Sequence, residues 1–167
     1  MSDPILFYTD GAVHNNGRAT AGGIAFYAPG IPYRKAYKIT GASVTNNICE
    51  LMAIEYTIIY AIHHRLRSIE IATDSVYAMK CLTVWYPAWL KSGWLNSKKK
   101  PVENQDIIKR ILAMQEVIEV KYRHVSAHRR EPLDKKSERW MNWHGNDVVD
   151  KLATLAVSSA DIDTLII

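Results

Sequence analysis

Four acidic residues stand out by where they fall in the chain. Asp10 closes the run "ILFYTD" and Asp74 closes "IEIATD", and both runs read as short buried β-strands. A buried strand has no reason to end twice on a carboxylate unless something beyond the sheet requires negative charge. Glu50 lies in "TNNICELMA" and Asp150 in "GNDVVDKLA". Carboxylates brought together repel, and one of a pair holds its proton. A divalent cation reverses that balance and keeps them ionised. Mg²⁺ in particular takes a few carboxylates together with waters and phosphate oxygens.

Each acid also has a purely structural explanation. Asn47 and Glu50 have the spacing of a helix capping box, N-cap plus N3. Asp147 and Asp150 are three apart and share a helix face, with Val149, Leu152 and Leu155 on the other. Acids early in a helix complement its dipole, which suits Asp147 better than Asp150. Singly, these explanations compete well. Two "TD" strand ends and two helix acids in one chain are harder to dismiss together.

The elements that must hold these groups follow from periodicity. "AGGIAFYAPGIPYRKAYKI" reads as two strands about a turn at Pro29-Gly30. A helix over "TNNICELMAIEYTIIYAIHH" places Leu51, Ile54, Ile58, Ala61 and Ile62 on one face. "SVYAMKCL" reads as a short helix, and "NQDIIKRILAMQEV" as another with Ile107, Ile108, Ile111 and Leu112 inward. "IEVKYRHV" alternates as a last strand before a helix over "GNDVVDKLATLAVSSA". The order βββαβααβα predicts a mixed α/β fold, a five-stranded mixed sheet flanked by helices. It forms one domain over 1–160, followed by a tail at 161–167. A helical crossover between the first and fourth strands makes them parallel neighbours, so Asp10 and Asp74 converge at one sheet end.

The 167 residues, 48% hydrophobic and 23% charged, suit one globular domain. No apolar run reaches the ~20 residues that cross a bilayer. The start lacks the basic region of a secretory signal, so an intracellular, cytoplasmic protein is expected, and a monomer. Cys49 and Cys81 lack metal-ligand spacing and are expected to be reduced and buried. The net charge is +4, and its distribution says more than the total. "WLKSGWLNSKKKP" sets Lys91, Lys98, Lys99 and Lys100 beside Trp89 and Trp94, and "HRREPLDKKSER" forms a later basic run. Basic surfaces around an acidic pocket point to a polyanion held over metal ions.

With these blocks in place the chain resembles type 1 ribonuclease H. The resemblance runs from "FYTDG" through "TNNICELMA", "ATDS", "WYPAWLKSGW", "KKPVEN" and "HVSAH" to "GNDVVDKLA", in the family's order. It implies a ribonuclease H-like fold and metal-binding catalytic carboxylates at Asp10, Glu50, Asp74 and Asp150. It further implies hydrolysis of the RNA strand of RNA/DNA hybrids by two Mg²⁺ ions, with Mn²⁺ substituting, leaving 5′-phosphate and 3′-hydroxyl ends. His128 matches the family's mobile catalytic histidine, with His124 and His144 as local rivals.

The resemblance also assigns the duplex contacts. Asn16, Asn46 and Asn47 match positions that meet the RNA strand. Thr45 and Asn104 match the pocket for a DNA-strand phosphate. Tyr77 and Trp85 match aromatics that pack on deoxyribose, where a 2′-hydroxyl would clash. Lys91 and Lys98, Lys99 and Lys100 match the family's basic protrusion, the alternative being a solvated charge run. Trp89 and Trp94 are assigned to packing.

Three departures from the family pattern are visible. Ser43 stands where an arginine is frequent, and Arg18 in "NNGR" is the candidate to supply its charge. Ala127 stands where glycine is common, and the loop between His128 and Asp150 is long. Two other functions fit the blocks less well: a non-catalytic hybrid-binding module, and another nuclease of the same fold. The first would have lost an acid, and the second lacks a use for the Trp/Lys segment. The start methionine and compact ends favour a free-standing enzyme over a piece of a reverse transcriptase.

Overall fold

Alternating side chains on the central strands bury both faces of one sheet, and the helices that cover those faces carry the site. The computed structural model describes residues 3–14, 19–127 and 129–167. Three of the residues singled out above, Asn16, Arg18 and His128, lie outside them. The strands are β1 (Ile5–Val13), β2 (Ala19–Ala28), β3 (Tyr33–Val44), β4 (Ser68–Thr73), β5 (Glu119–His124) and β6 (Thr164–Ile166). They form one sheet in the order β5-β4-β1-β2-β3-β6. The pairs β1/β2 and β2/β3 are antiparallel, and β1/β4, β4/β5 and β3/β6 are parallel. The mixed α/β architecture is the one expected, with six strands in place of five. The extra strand comes from the segment expected as a tail. Its parallel pairing on β3 is closed by Lys38 N–H to Asp163 O at 2.9 Å and Ile167 N–H to Thr40 O at 2.9 Å.

On one face, Phe7, Phe26, Ile69 and Ile71 pack beneath α1 (Asn46–His63), α2 (Val76–Lys80) and α4 (Gln105–Met114). Helix α1 supplies Leu51, Ile54, Ile58 and Ala61, all fully buried, and α4 supplies Ile108 and Ile111. The other face presents Tyr8, Ala25 and Ala72 to Val149 and Ala153 of α5 (Glu138–Ser158). Phe7 and Tyr8, or Ile71 and Ala72, thus point to opposite sides, as the two-residue period of a strand requires.

Two helices depart from the expected boundaries. The Trp/Lys segment holds α3 (Tyr86–Ser92), joined to α2 by one π-helical turn at Cys81–Trp85. Helix α5 begins at Glu138, about two turns before Gly145, because Ser137 Oγ accepts the Trp140 N–H at 3.1 Å. Of the stretch 129–144 that lengthens the chain between His128 and Asp150, 138–144 therefore belongs to α5 and 129–137 does not. Its buried stripe is Val149, Ala153 and Ala156, whereas Leu155, expected inside, is 67% exposed. Asp147 consequently lies well inside the helix, ion-paired with Lys151 at 2.7 Å. A first-turn dipole role does not apply to it. Cys49 and Cys81 are free and buried. Among the described residues no helix is long and apolar enough to cross a membrane.

Candidate active site

The parallel pairing of β1 with β4 runs from Ile5↔Ile69 to Thr9↔Thr73. Asp10 and Asp74 are each the next residue, so register alone sets them side by side. β1 itself does not stop at Asp10 as expected. It continues against β2 to Val13↔Gly22, which holds Asp10 in a strand backed by Ala25. Beyond Thr73 the chain turns under local control. Thr73 Oγ1 accepts the Ser75 N–H at 3.0 Å, and Ser75 Oγ caps α2 by accepting the Ala78 N–H at 3.1 Å.

Glu50 arrives from α1. The cap of that helix is Thr45, whose Oγ1 accepts the Ile48 N–H at 3.1 Å. The capping box expected from Asn47 and Glu50 does not form, because the helix already begins at Asn46 and places Glu50 past its first turn. The carboxylate has no capping duty and points into the site. One oxygen from each of Asp10, Glu50 and Asp74 lies within 4.8 Å of the others. These three, with Asp150 of α5, line an open cavity of about 500 Å³ that also includes Asn46, Asn47 and Ser75.

The electrostatics show what the cluster lacks. Burial, with the Asp74 and Asp150 charges nearby, pushes the Asp10 carboxyl up to about 8. Burial and the facing Asp10 carboxyl hold Glu50 well above the ordinary carboxylate range. Glu50 Oε2 is buried with no donor to it. A buried carboxylate oxygen without a donor, facing two more carboxylates, fits a divalent cation and little else the chain supplies. Asp10, Glu50 and Asp74 would hold it, with Asp150 at the cavity wall.

The residues assigned to the duplex divide between two places. Asn46 and Asn47 share the acidic cavity. Thr45 sits at the α1 cap beside them. Outside the cavity lining, Asn104 Nδ2 donates to the Tyr77 hydroxyl at 3.0 Å, and the Tyr77 and Trp85 rings meet edge to face at 6.2 Å. Asn104 itself adopts a left-handed backbone, φ 60°. Rings continue from Trp85 to Trp89 at 6.0 Å and Trp94 at 5.9 Å. Trp89 and Trp94 pack partly buried against the core, the role assigned to them. Lys91 lies in the last turn of α3, while Lys98, Lys99 and Lys100 project from a turn that Asn96 Oδ1 holds by accepting the Lys98 and Lys100 N–H groups at 2.9 and 3.0 Å.

The two rival histidines are not in the acidic cavity. His144 is a helix residue stacked on Trp140 at 4.7 Å and edge-on to Tyr27 at 6.3 Å. His124 ends β5 and is exposed. Two elements of the site were not anticipated. Ser75 lines the cavity and caps α2, and the "TDS" order, hydroxyl residues flanking the acid, was its available signal. The other is Gly11, whose fit against α1 has no local signature.

A mixed sheet whose parallel central strands deliver acids to one end, completed by acids from two helices, defines an α/β enzyme with a carboxylate centre. The family model described as RNase H matches residues 2–158. Ribonuclease HI of Caulobacter vibrioides is 34% identical over 145 residues, covering 85% of this chain and 93% of that protein. Ribonuclease H of Maricaulis maris is 31% identical, covering 93% and 95% respectively. Among solved structures, LC9-RNase H1, a type 1 RNase H with the type 2 active-site motif, superposes with a TM-score of 0.71 at 20% identity, covering 94% of this chain and 74% of that one. The foamy viral protease-reverse transcriptase in complex with RNA/DNA hybrid superposes with a TM-score of 0.70 at 21% identity, covering 92% of this chain and 20% of that one. The chain belongs to the RNase H family and is a nucleic-acid hydrolase.

Proposed function

We propose that this protein is an endoribonuclease that hydrolyses the RNA strand of RNA/DNA hybrids with two Mg²⁺ ions, leaving 5′-phosphate and 3′-hydroxyl ends. The observation that carries this reading is the convergence of Asp10, Glu50 and Asp74 within 4.8 Å at the end of the parallel strands. When bound, divalent cations supply an activated water and stabilise the leaving oxygen of a phosphodiester. The protein's part is rigid placement. Asp10 is fixed by strand pairing, Asp74 by the Thr73–Ser75 turn, and Glu50 and Asp150 by helices. Asn46 and Asn47, at the cavity wall, meet the RNA strand by amide hydrogen bonds to its minor-groove side. Tyr77, held by Asn104, and Trp85 form an apolar wall for deoxyribose. Lys91 and the Lys98–Lys100 turn hold the backbone. His128 moves protons or assists product release, and Asn16 joins the RNA contacts. The protein acts as a monomer inside the cell.

Cleavage of end-labelled RNA/DNA hybrid, RNA/RNA and DNA/DNA duplexes with Mg²⁺ tests the reading. The expected result is cutting confined to the RNA of the hybrid and lost in Asp10→Asn. Equal cutting of RNA/RNA, or an active Asn variant, would overturn it.

A further inference from the structure

The residues that follow β5 border a second cleft, of about 610 Å³, beside the acidic cavity. His124, Val125 and Ser126 line it, and the next residue, Ala127, lines the acidic cavity. The two clefts therefore adjoin along one stretch of backbone. The second is strongly basic: Arg129 and Arg130 come from the loop and Arg139 from the first turn of α5.

An arginine-rich loop is usually just solvated, but three observations separate this one. All three arginines are exposed, and among the described residues none forms an ion pair. The nearby acids are engaged elsewhere. Glu138 pairs with Arg123, Glu131 accepts the Trp140 indole N–H at 2.9 Å, and Asp134 Oδ1 accepts the Lys136 N–H at 3.0 Å. The loop is also tied to the helix, since the Trp143 indole N–H donates to Arg129 O at 2.9 Å. Two tryptophans thus hold the loop against α5 while its guanidinium groups stay unpaired around a concave surface. Guanidinium forks match phosphate oxygens in pairs, and their planar geometry loses less freedom per hydrogen bond formed than a lysine ammonium does.

We propose that the cleft of Arg129, Arg130 and Arg139 takes the phosphodiester backbone of the duplex just beyond the carboxylate cavity, extending the footprint past the loop after β5. This rests on the hybrid reading above. The contact is to phosphate, so it adds affinity and register without reading sequence.

The test compares the wild type with R129Q/R130Q/R139Q and with R139Q alone. Binding is measured by fluorescence anisotropy without divalent metal across a salt series, using a hybrid of roughly twenty base pairs and one of roughly six closed by a hairpin loop so that it stays paired. On the long hybrid the slope of log K against log salt should fall by about 0.9 per lost phosphate contact, about two to three for the triple variant and about one for R139Q. The short hybrid should show no change, and on the long one KM should rise with kcat retained. Unchanged slopes on the long hybrid, or equal loss on both lengths, would overturn the proposal. Should the triple variant fail to fold by thermal melting, the R139Q slope decides. A failure of the hybrid reading itself shows separately, as wild-type protein that does not cut hybrids.

Discussion

Gly11 of β1 lies against the backbone of α1 so closely that a Cβ there would sit 2.4 Å from the Cys49 carbonyl carbon and 2.5 Å from Glu50 N. Only a residue without a side chain lets the helix come this near. That approach brings the Glu50 carboxylate to Asp10. A similar approach works on the other face, where a Cβ on Gly23 would meet Ala153 O at 2.0 Å, one turn from Asp150. Gly11→Ala should therefore push α1 away and open the acid cluster. Metal affinity, read by calorimetry with Mn²⁺, is expected to fall at least ten-fold, with activity following it. Wild-type Mn²⁺ affinity in this variant would show that the glycine does not set the geometry.

Without metal, the acid cluster costs stability, with a definite pH sign. Asp10 binds its proton up to about 8 in the fold, against 3.8 unfolded, and Glu50 shifts the same way. Between those values the native state holds more protons than the unfolded one, so stability falls as pH rises. The metal-free protein should melt lower at pH 8 than at pH 5. Asp10→Asn should flatten that dependence and raise Tm at pH 8 by about 2–4 °C for each kcal/mol recovered. Added Mg²⁺ should raise the wild-type Tm at pH 8 more than that of the variant, because ligands stabilise only the state that binds them. A Tm that rises with pH over this window in chelator would contradict the assignment.

His144 and His128 separate by the kind of damage each causes. His144 stacks on Trp140 within α5, so His144→Ala should lower Tm and leave kcat near wild type. His128→Ala should lower kcat by about 10²–10⁴-fold, the usual worth of general acid-base assistance, with little effect on KM or Tm. A large kcat loss in His144→Ala alone would reverse the roles.

Neutralising Lys98, Lys99 and Lys100 together should weaken hybrid binding and lower its salt slope, while kcat at saturation holds. Their turn is organised by Asn96, so stability should not change. Salt titrations of binding decide, and an unaltered slope would leave the run as a solvated turn.

Glu55 and Arg110 tie α1 to α4 outside the acidic cavity, with Nε to Oε1 at 2.6 Å and the carboxylate nearly buried. Arg110→Met would leave that carboxylate without its partner. A loss of about 1–3 kcal/mol in denaturant unfolding is expected, with kcat unchanged. No loss would mean that water replaces the guanidinium at no cost.

How much of this was legible in the chain depends on the range of the forces involved. The apolar run that makes β1 a strand, the apolar face of α1 and the four acids follow from neighbours a few residues apart, and local order carries such signals. The same holds for the βαβ crossover that makes β1 and β4 parallel. The α5 boundary had only a local cap signal at Ser137, in a stretch with no apolar stripe, and the contact of His144 with Tyr27 that seats it is long-range. The strand β6 was not legible, since three residues carry little periodicity and become a strand only by pairing with the edge of β3. The register Thr9↔Thr73, the contact of Gly11 with Cys49 and the unpaired arginines around one cleft join residues far apart in sequence. Residue types alone named the acids. Long-range packing, which sets distances that no local pattern contains, decided that Asp10, Glu50 and Asp74 meet and that Asp150 stands at their wall.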